Sequence, residues 1–215
     1  MSVIFVSATP DAVDIISYCA RVSNPVNQTN FDTAGKLLKY LASHGHWSPF
    51  EMANMVLEIN TTRDIGRQIL RHRSFSFQEF SQRYAEVETP MVVRDVRMQD
   101  SKNRQSSLPC TDSETADWWK DVQEEHIANA FADYNAAIEQ GIAKEVARAL
   151  LPEGLTPTRM YMAGSIRSWI HYIQQRTQKG TQLEHREIAL QCRRILLSLI
   201  PELGVILEAE NATSS

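Results

Sequence analysis

Between Ser165 and Arg176 the apolar residues Ile166, Trp169, Ile170 and Ile173 fall at i, i+3, i+4 and i+7. That spacing makes one stripe of an α-helix apolar, and such a stripe has to be buried against another element. A second stripe carries Ile188, Cys192, Ile195, Leu196 and Leu199, on a helix expected to open with a Thr181/Glu184 capping box and to run to Ile200 before Pro201. Leu37, Leu38 and Leu41 mark a third helix, Asp32 to His44, stopped by Gly45. The longest helix is expected from Thr115 to Gln140, ended by Gly141, with a shorter one stopping before Pro152. Thr9, with Pro10 at the first helical position, should open a helix to about Ala20, and Thr62 one that ends near Arg71. Ser48-Pro49-Phe50-Glu51 reads as a capping box over a single turn.

Strands are few. Val3–Ser7, Met55–Thr61 and Val92–Met98 have the composition and alternation of strands, and Phe75–Tyr84 reads as extended. Gln99 to Ser113 reads as a polar surface loop, and the tail Asn211–Ser215 as frayed. Strands do not alternate regularly with helices, and no glycine fingerprint of a dinucleotide fold is present. The expected class is therefore α+β: a single helix-rich domain over residues 1–215 with a small mixed or antiparallel sheet, not Rossmann.

The 215 residues are 43% hydrophobic, enough for one sizeable core. A formal net charge of −4 argues against a protein that coats nucleic acid. Cys19, Cys110 and Cys192 are far apart and form neither a disulfide framework nor a zinc motif, which suits a reducing compartment. The short apolar start lacks the basic lead of a signal peptide, and no apolar run would span a bilayer. The expectation is a soluble, cytoplasmic protein with no membrane or nucleic-acid partner and no metal.

The chemistry is concentrated between Gln68 and Tyr84. Arg71, His72 and Arg73 crowd the end of a helix, where the dipole welcomes cations with no further function. The extended segment that follows changes the balance. Period-2 alternation would put Glu79, Ser81 and Arg83 on one face, a set able to hold a polar ring and its phosphate.

Arg71-His72-Arg73, seven residues, then Ser81 resembles the RHRx7S signature of the flavin-dependent thymidylate synthases. His46-Trp-Ser48-Pro49-Phe50-Glu51 is similar to that family's upstream HxxPFEH-like segment, with Met52 in place of the final histidine. Ala147-Arg148-Ala-Leu-Leu-Pro152 is similar to its ARxxLP segment, and Arg167 and Arg176 follow in order. The resemblance covers about residues 15–200. It implies methylation of dUMP to dTMP, with methylene-tetrahydrofolate as carbon donor and NADPH-reduced FAD as hydride source.

The resemblance also implies roles. Gln68, Ile69, Leu70, Arg71, Glu79, Phe80, Ser81, Gln82, Arg83, Arg148 and Arg176 would contact dUMP, with Arg176 the catalytic residue that ionises the uracil ring. Ser23, Ser48, Arg71, His72, Arg73, Glu79, Ser165, Arg167 and His171 would contact FAD, and His46 would line the flavin or folate pocket. Ser165 and His171 stand where many relatives have asparagine, and the Thr177–Gln182 loop is longer than in compact members. Family members are homotetramers with shared sites, which would set Glu79–Arg83 of one chain against Gln68, Arg71 and Arg148 of another.

These roles agree with the residues' chemistry. C5 of uracil is a poor nucleophile, and an arginine beside the ring favours its anion. Arg83 and Arg148 would suit a phosphate clamp. Cys192 lies on an apolar stripe and no cysteine has a nucleophile's context, so no covalent cysteine–uracil adduct is expected. His126 reads as a surface residue, Trp118-Trp119 as a subunit contact, and His185, beside Arg186 and Glu187, as part of a solvated face. A rival from another class is a non-catalytic nucleotide- or RNA-binding module using the same arginines.

Overall fold

The computed structural model describes residues 1–88 and 90–208. Four antiparallel strands, β1 (Ser2–Ala8), β2 (Asn54–Thr62), β3 (Ser76–Glu79) and β6 (Pro157–Ser165), form a sheet in the order β1-β2-β6-β3. A separate hairpin joins β4 (Arg97–Gln99) to β5 (Ser107–Pro109). The helices are α1 (Ala12–Ala20), α2 (Ala34–Ser43), α3 (Arg63–Ile69), α4 (Ser113–Glu139), α5 (Lys144–Ala147), α6 (Ile166–Arg176), α7 (Leu183–Leu199) and α8 (Gly204–Leu207). The expected α+β class with a small antiparallel sheet and no Rossmann unit is what the chain forms.

Alternation on β2 turns Met55, Leu57 and Ile59 inward, and Met160 and Met162 of β6 join them. Against this face pack Ile16 of α1, Leu38 of α2, Ile65 and Ile69 of α3, and the stripes of α6 and α7. The α6 stripe is buried as the spacing requires, and Trp169 Nε1–H donates to the Met55 carbonyl at 3.0 Å. A Cβ on Gly164 would lie 2.5 Å from the Phe75 ring, so only glycine lets that ring stack edge-on against Trp169, with centroids 4.8 Å apart. A smaller cluster of Val87, Tyr134, Ala137 and Ala147 ties α4 to α5.

Departures from expectation have local causes. Thr9 Oγ1 accepts from the Asn54 N–H at 2.9 Å, extending the β1–β2 pairing instead of capping. The chain then turns through Asp11 at φ 49°, and α1 starts at Ala12 rather than Pro10. Thr62 donates to Asp64 (2.6 Å) and so makes no side-chain cap on α3, which ends at Ile69, short of Arg71. The Ser48–Met52 turn is a 3₁₀ helix without a side-chain cap. Of the expected Val92–Met98 strand only Arg97 and Met98 pair, as the start of β4. The Arg94 backbone instead bonds Gln123 and the Trp119 indole of α4. The polar Gln99–Ser113 stretch contains β5. No Thr181/Glu184 box forms, because arginines hold the Glu184 carboxylate. Gly45 (φ 70°) and Gly141 (φ 80°) end their helices as read. The Asn211–Ser215 tail lies outside the described residues.

Candidate active site

β6 passes into α6 without a loop. Ser165 makes the junction, its hydroxyl accepting from the Ser168 N–H at 3.2 Å as the helix N-cap. Arg167 follows and its Nη1 donates to Glu51 Oε1 at 2.8 Å. Hydrogen bonds from Ser165 and then Arg167 hold the Glu51 carboxyl below its ordinary range. Glu51 therefore ties the Ser48–Met52 turn to α6 instead of closing a capping box. These residues border a cleft of about 410 Å³ lined by Trp47, Glu51, Ser74, Arg167, His171 and Gln174, among others. Ser165 borders an adjoining groove that shares Glu51, Ser74 and Ser168.

Three residues assigned to FAD, Ser165, Arg167 and His171, thus edge one continuous depression. Ser23 and Ser48 are exposed but line neither part of it. His46 faces Tyr40 edge-on, centroids 6.0 Å apart, and is likewise not among the lining residues; its neighbour Trp47 is.

The other end of α6 carries Arg176. Its Nε–H donates to His72 Nε2 at 2.9 Å, and the His72 ring stands edge-on to Tyr172, centroids 4.9 Å apart. Burial, then the charges of Arg176 and His171, lower the His72 pKa to about 4, so the ring is a neutral acceptor near pH 7. An arginine that spends its Nε–H on a neighbour keeps the two Nη groups for planar, bidentate contacts. Among the described residues no carboxylate is within ion-pair distance of Arg71, Arg73 or Arg176, and Arg71 and Arg73 are exposed.

Gln68 is half-buried and lies in a hydrogen-bonded group with Gln182, His185 and Tyr172. Ile69, by contrast, is fully buried in the core and Leu70 packs against it. The Ile69 side chain is thus enclosed, while Leu70 is only partly so.

The segment after β3 departs from the expected alternation. It turns at Ser81, whose carbonyl accepts from the N–H groups of Tyr84 and Ala85, so Glu79, Ser81 and Arg83 do not share a strand face. Glu79 Oε1 accepts from Thr158 Oγ1 at 2.7 Å and lies 3.7 Å from Arg63. Phe80 N–H is bonded to the Arg159 carbonyl. Gln82 is buried, and its Nε2 has no partner among the described residues. Arg83 Nε bonds Glu145 Oε2 at 3.1 Å, and Arg148 Nε bonds the Glu145 carbonyl at 3.3 Å. Within one chain Arg83 and Arg148 thus both reach Glu145, one at its carboxylate and the other at its backbone carbonyl. No hydrogen bond or ion pair among the described residues joins this pair to the Gln68–Arg176 group.

His185 corrects another expectation. It is fully buried, and burial, then the charges of Arg176 and His72, lower its pKa to about 3. The periodicity contained the signal, since His185 precedes Ile188 by three positions and Cys192 by seven. His126 is exposed, as is Trp118 at 60%, while Trp119 is bonded to Arg94 within the chain. Among the described residues no cluster of His, Cys, Asp or Glu could hold a metal ion.

Residues 5–202 match the family described as thymidylate synthase complementing protein. The chain is 51% identical over 197 residues to a probable flavin-dependent thymidylate synthase of Paramecium bursaria Chlorella virus 1, covering 92% of this chain and 91% of that protein. It is 50% identical over 194 residues to the flavin-dependent thymidylate synthase of Synechocystis sp., covering 90% and 88%. The fold is also that of a UMP/dUMP methylase, PolB of Streptomyces cacaoi, solved with 5-Br dUMP. The TM-score is 0.81 at 27% identity, over 98% of this chain and 94% of that one. The signature arginines, the α6 depression and these likenesses along nearly the whole length place the chain in the flavin-dependent thymidylate synthase family.

Proposed function

We propose that this chain, working as one catalytic domain, methylates dUMP to dTMP. Methylene-tetrahydrofolate gives the carbon, and NADPH gives the electrons through FAD. The observation that carries the reading is Arg176, held at its Nε by neutral His72 with its outer edge uncommitted. Set against N3 and a carbonyl oxygen of uracil, that edge stabilises the ring anion and raises electron density at C5. Arg83 and Arg148, which both reach Glu145, would clamp the phosphate, and the buried Gln82 amide in the Arg83 segment still lacks an acceptor.

The depression beside α6 suits FAD. It offers cationic Arg167 and the donors of His171 and Ser74 beside the flat, apolar Trp47, a mixture suited to a phosphate-bearing aromatic ligand. Arg71 and Arg73 would add charge to its pyrophosphate. Bound and reduced flavin supplies the hydride that completes the methyl group.

Because no hydrogen bond or ion pair among the described residues joins the Arg83–Arg148 pair to the Gln68–Arg176 group, a nucleotide site completed between subunits of a homotetramer fits the chain. Each chain would give the phosphate clamp to one site and the uracil arginine to another. No helix among the described residues is long and apolar enough to cross a membrane, and the net charge is −4. Both support a cytoplasmic enzyme of small molecules without nucleic-acid or membrane partners. The test is a visible absorption spectrum of the purified protein, followed by NADPH oxidation with and without dUMP and folate. A flavin spectrum with dUMP-dependent formation of dTMP is expected. Protein that binds no FAD on titration overturns the enzyme reading and favours a nucleotide-binding module. Preference for UMP would move the substrate towards that named for the Streptomyces methylase.

A further inference from the structure

His185 projects from the first turn of α7 into a row of polar groups that the reaction above leaves unexplained. Its Nδ1 lies 3.2 Å from Gln68 Oε1 and its Nε2 3.2 Å from Tyr172 Oη. Gln68 Nε2 lies 2.7 Å from Gln182 Oε1, and Gln182 Nε2 lies 3.0 Å from Glu184 Oε2. An amide oxygen only accepts, so the Nδ1 proton points at Gln68 and the neutral ring's Nε2 accepts from the Tyr172 hydroxyl. Each donor then finds an acceptor in one direction: Tyr172 to His185, to Gln68, to Gln182, to the Glu184 carboxylate. Arg97 holds that carboxylate at 2.6 Å, with Arg94 at 3.6 Å.

The polarity of the row matters most at Gln68. Turning its amide over would set Oε1 against the Gln182 oxygen and N–H against the His185 N–H, leaving two like contacts. Unmatched polar groups in a part-buried row cost far more than a matched bond returns. Gln68 Nε2 has a second N–H not used by Gln182, and Gln68 is only half-buried. We propose that His185 is a positioning residue: it fixes the Gln68 amide so that an N–H, never the carbonyl, is presented to the nucleotide. This rests on the reading that dUMP binds at Gln68. Tyr172 is fully buried, and burial raises its pKa well above the ordinary value, so it remains a donor. Burial and the nearby charges likewise keep the His185 ring neutral.

The experiment compares His185→Leu, which keeps apolar volume and removes both bonds, with His185→Gln, which restores a donor and an acceptor. Steady-state kinetics are run with dUMP varied and the other substrates saturating, beside flavin content and circular dichroism. Loss of one oriented donor should raise the dUMP KM of the Leu variant about tenfold. kcat should change less and FAD retention not at all, and the Gln variant should recover most of the loss. A Leu variant within twofold of wild type, or a Gln variant as impaired as Leu, overturns the proposal. Should the Leu variant fail to fold, a nitrogen-15 spectrum of histidine-labelled wild type decides. Protonated Nδ1 with bare Nε2 is expected, and the opposite tautomer overturns it. Wild type that folds but does not bind or turn over dUMP overturns the nucleotide reading as well, and is told apart because wild type itself fails.

Discussion

Arg176 donates its Nε–H to Nε2 of His72 across 2.9 Å, so the arginine of the last turn of α6 is oriented by the middle residue of the Arg71–Arg73 run. The histidine can accept only while unprotonated, and burial together with the adjacent guanidinium keeps it so. The pair divides the work: one residue keeps its charge, the other gives up its own to hold it in place.

Arg176→Ala should lower kcat about a hundredfold or more, as expected when a donor aimed at developing charge is removed. Ser81→Ala should act mainly on the KM for dUMP. Kinetics at saturating dUMP check this. A silent Arg176→Ala beside an inactive Ser81→Ala would reverse the two roles.

His72, half-buried, and His185, fully buried, also set an acid limit. Folded-state pKa values of about 4 for His72 and about 3 for His185 lie below the ordinary 6.5. The unfolded chain therefore binds protons first as pH falls. The stability from keeping these rings neutral is whole above about pH 6.5 and is lost as pH drops towards those lower values. Urea midpoints should fall between pH 6.5 and 4.5, and less steeply for His185→Leu. A midpoint that stays level in wild type would refute this.

Much of this was legible in the sequence. The α6 stripe, the glycine stops and the arginine run are local signals that tertiary packing only reinforces. Several failures share a cause: a polar side chain read for its neighbours in sequence bonded instead to something distant. Thr9 was taken by β2, Glu51 by Arg167 and Glu184 by Arg94 and Arg97. Glu79 turned to Thr158 once the chain left the sheet at Ser81. His185 is different, since its place on the α7 stripe was countable but its charged neighbours suggested solvent.

Arg167→Ala should release FAD more than it unfolds the protein. Its pair with Glu51 is about half exposed, with side-chain accessibilities of 52% and 36%, and such pairs contribute at most about 1 kcal/mol. Flavin titration and thermal melts of the apoprotein separate the two effects. Loss of the fold with unchanged flavin affinity would refute the assignment.

No cysteine should be required. Cys192 is fully buried, and burial pushes its thiol pKa up, so a thiolate there is strongly disfavoured. Cys192→Ala should cost about 1 kcal/mol. Cys192→Ser should cost about 1–3 kcal/mol for an unmatched buried hydroxyl. Both should turn over dUMP when folded, as should Cys19→Ser and Cys110→Ser. A folded, ligand-binding Cys→Ser variant without turnover would restore a covalent route.

Because Arg83 and Arg148 meet at Glu145 within a chain, mixing subunits should discriminate between pairs of variants. Arg83→Ala mixed with Arg176→Ala should regain part of the activity, since some sites receive neither change. Arg83→Ala mixed with Arg148→Ala should stay inactive, every site lacking one or the other. Recovery in the second mixture but not the first would place the residues the other way round.

From Arg167 to Arg176 α6 advances nine residues, about 13.5 Å along its axis and about two and a half turns, which leaves the two positions about half a revolution apart. The helix is thus a partition and not the wall of one chamber: its two arginines look out on opposite sides. Neither spacing nor direction depends on a loop. One residue inserted within α6 would swing Arg176 by about 100° while leaving Arg167 in place. A length change between the two arginines would therefore break their relation, whereas one past Thr177 would leave it intact.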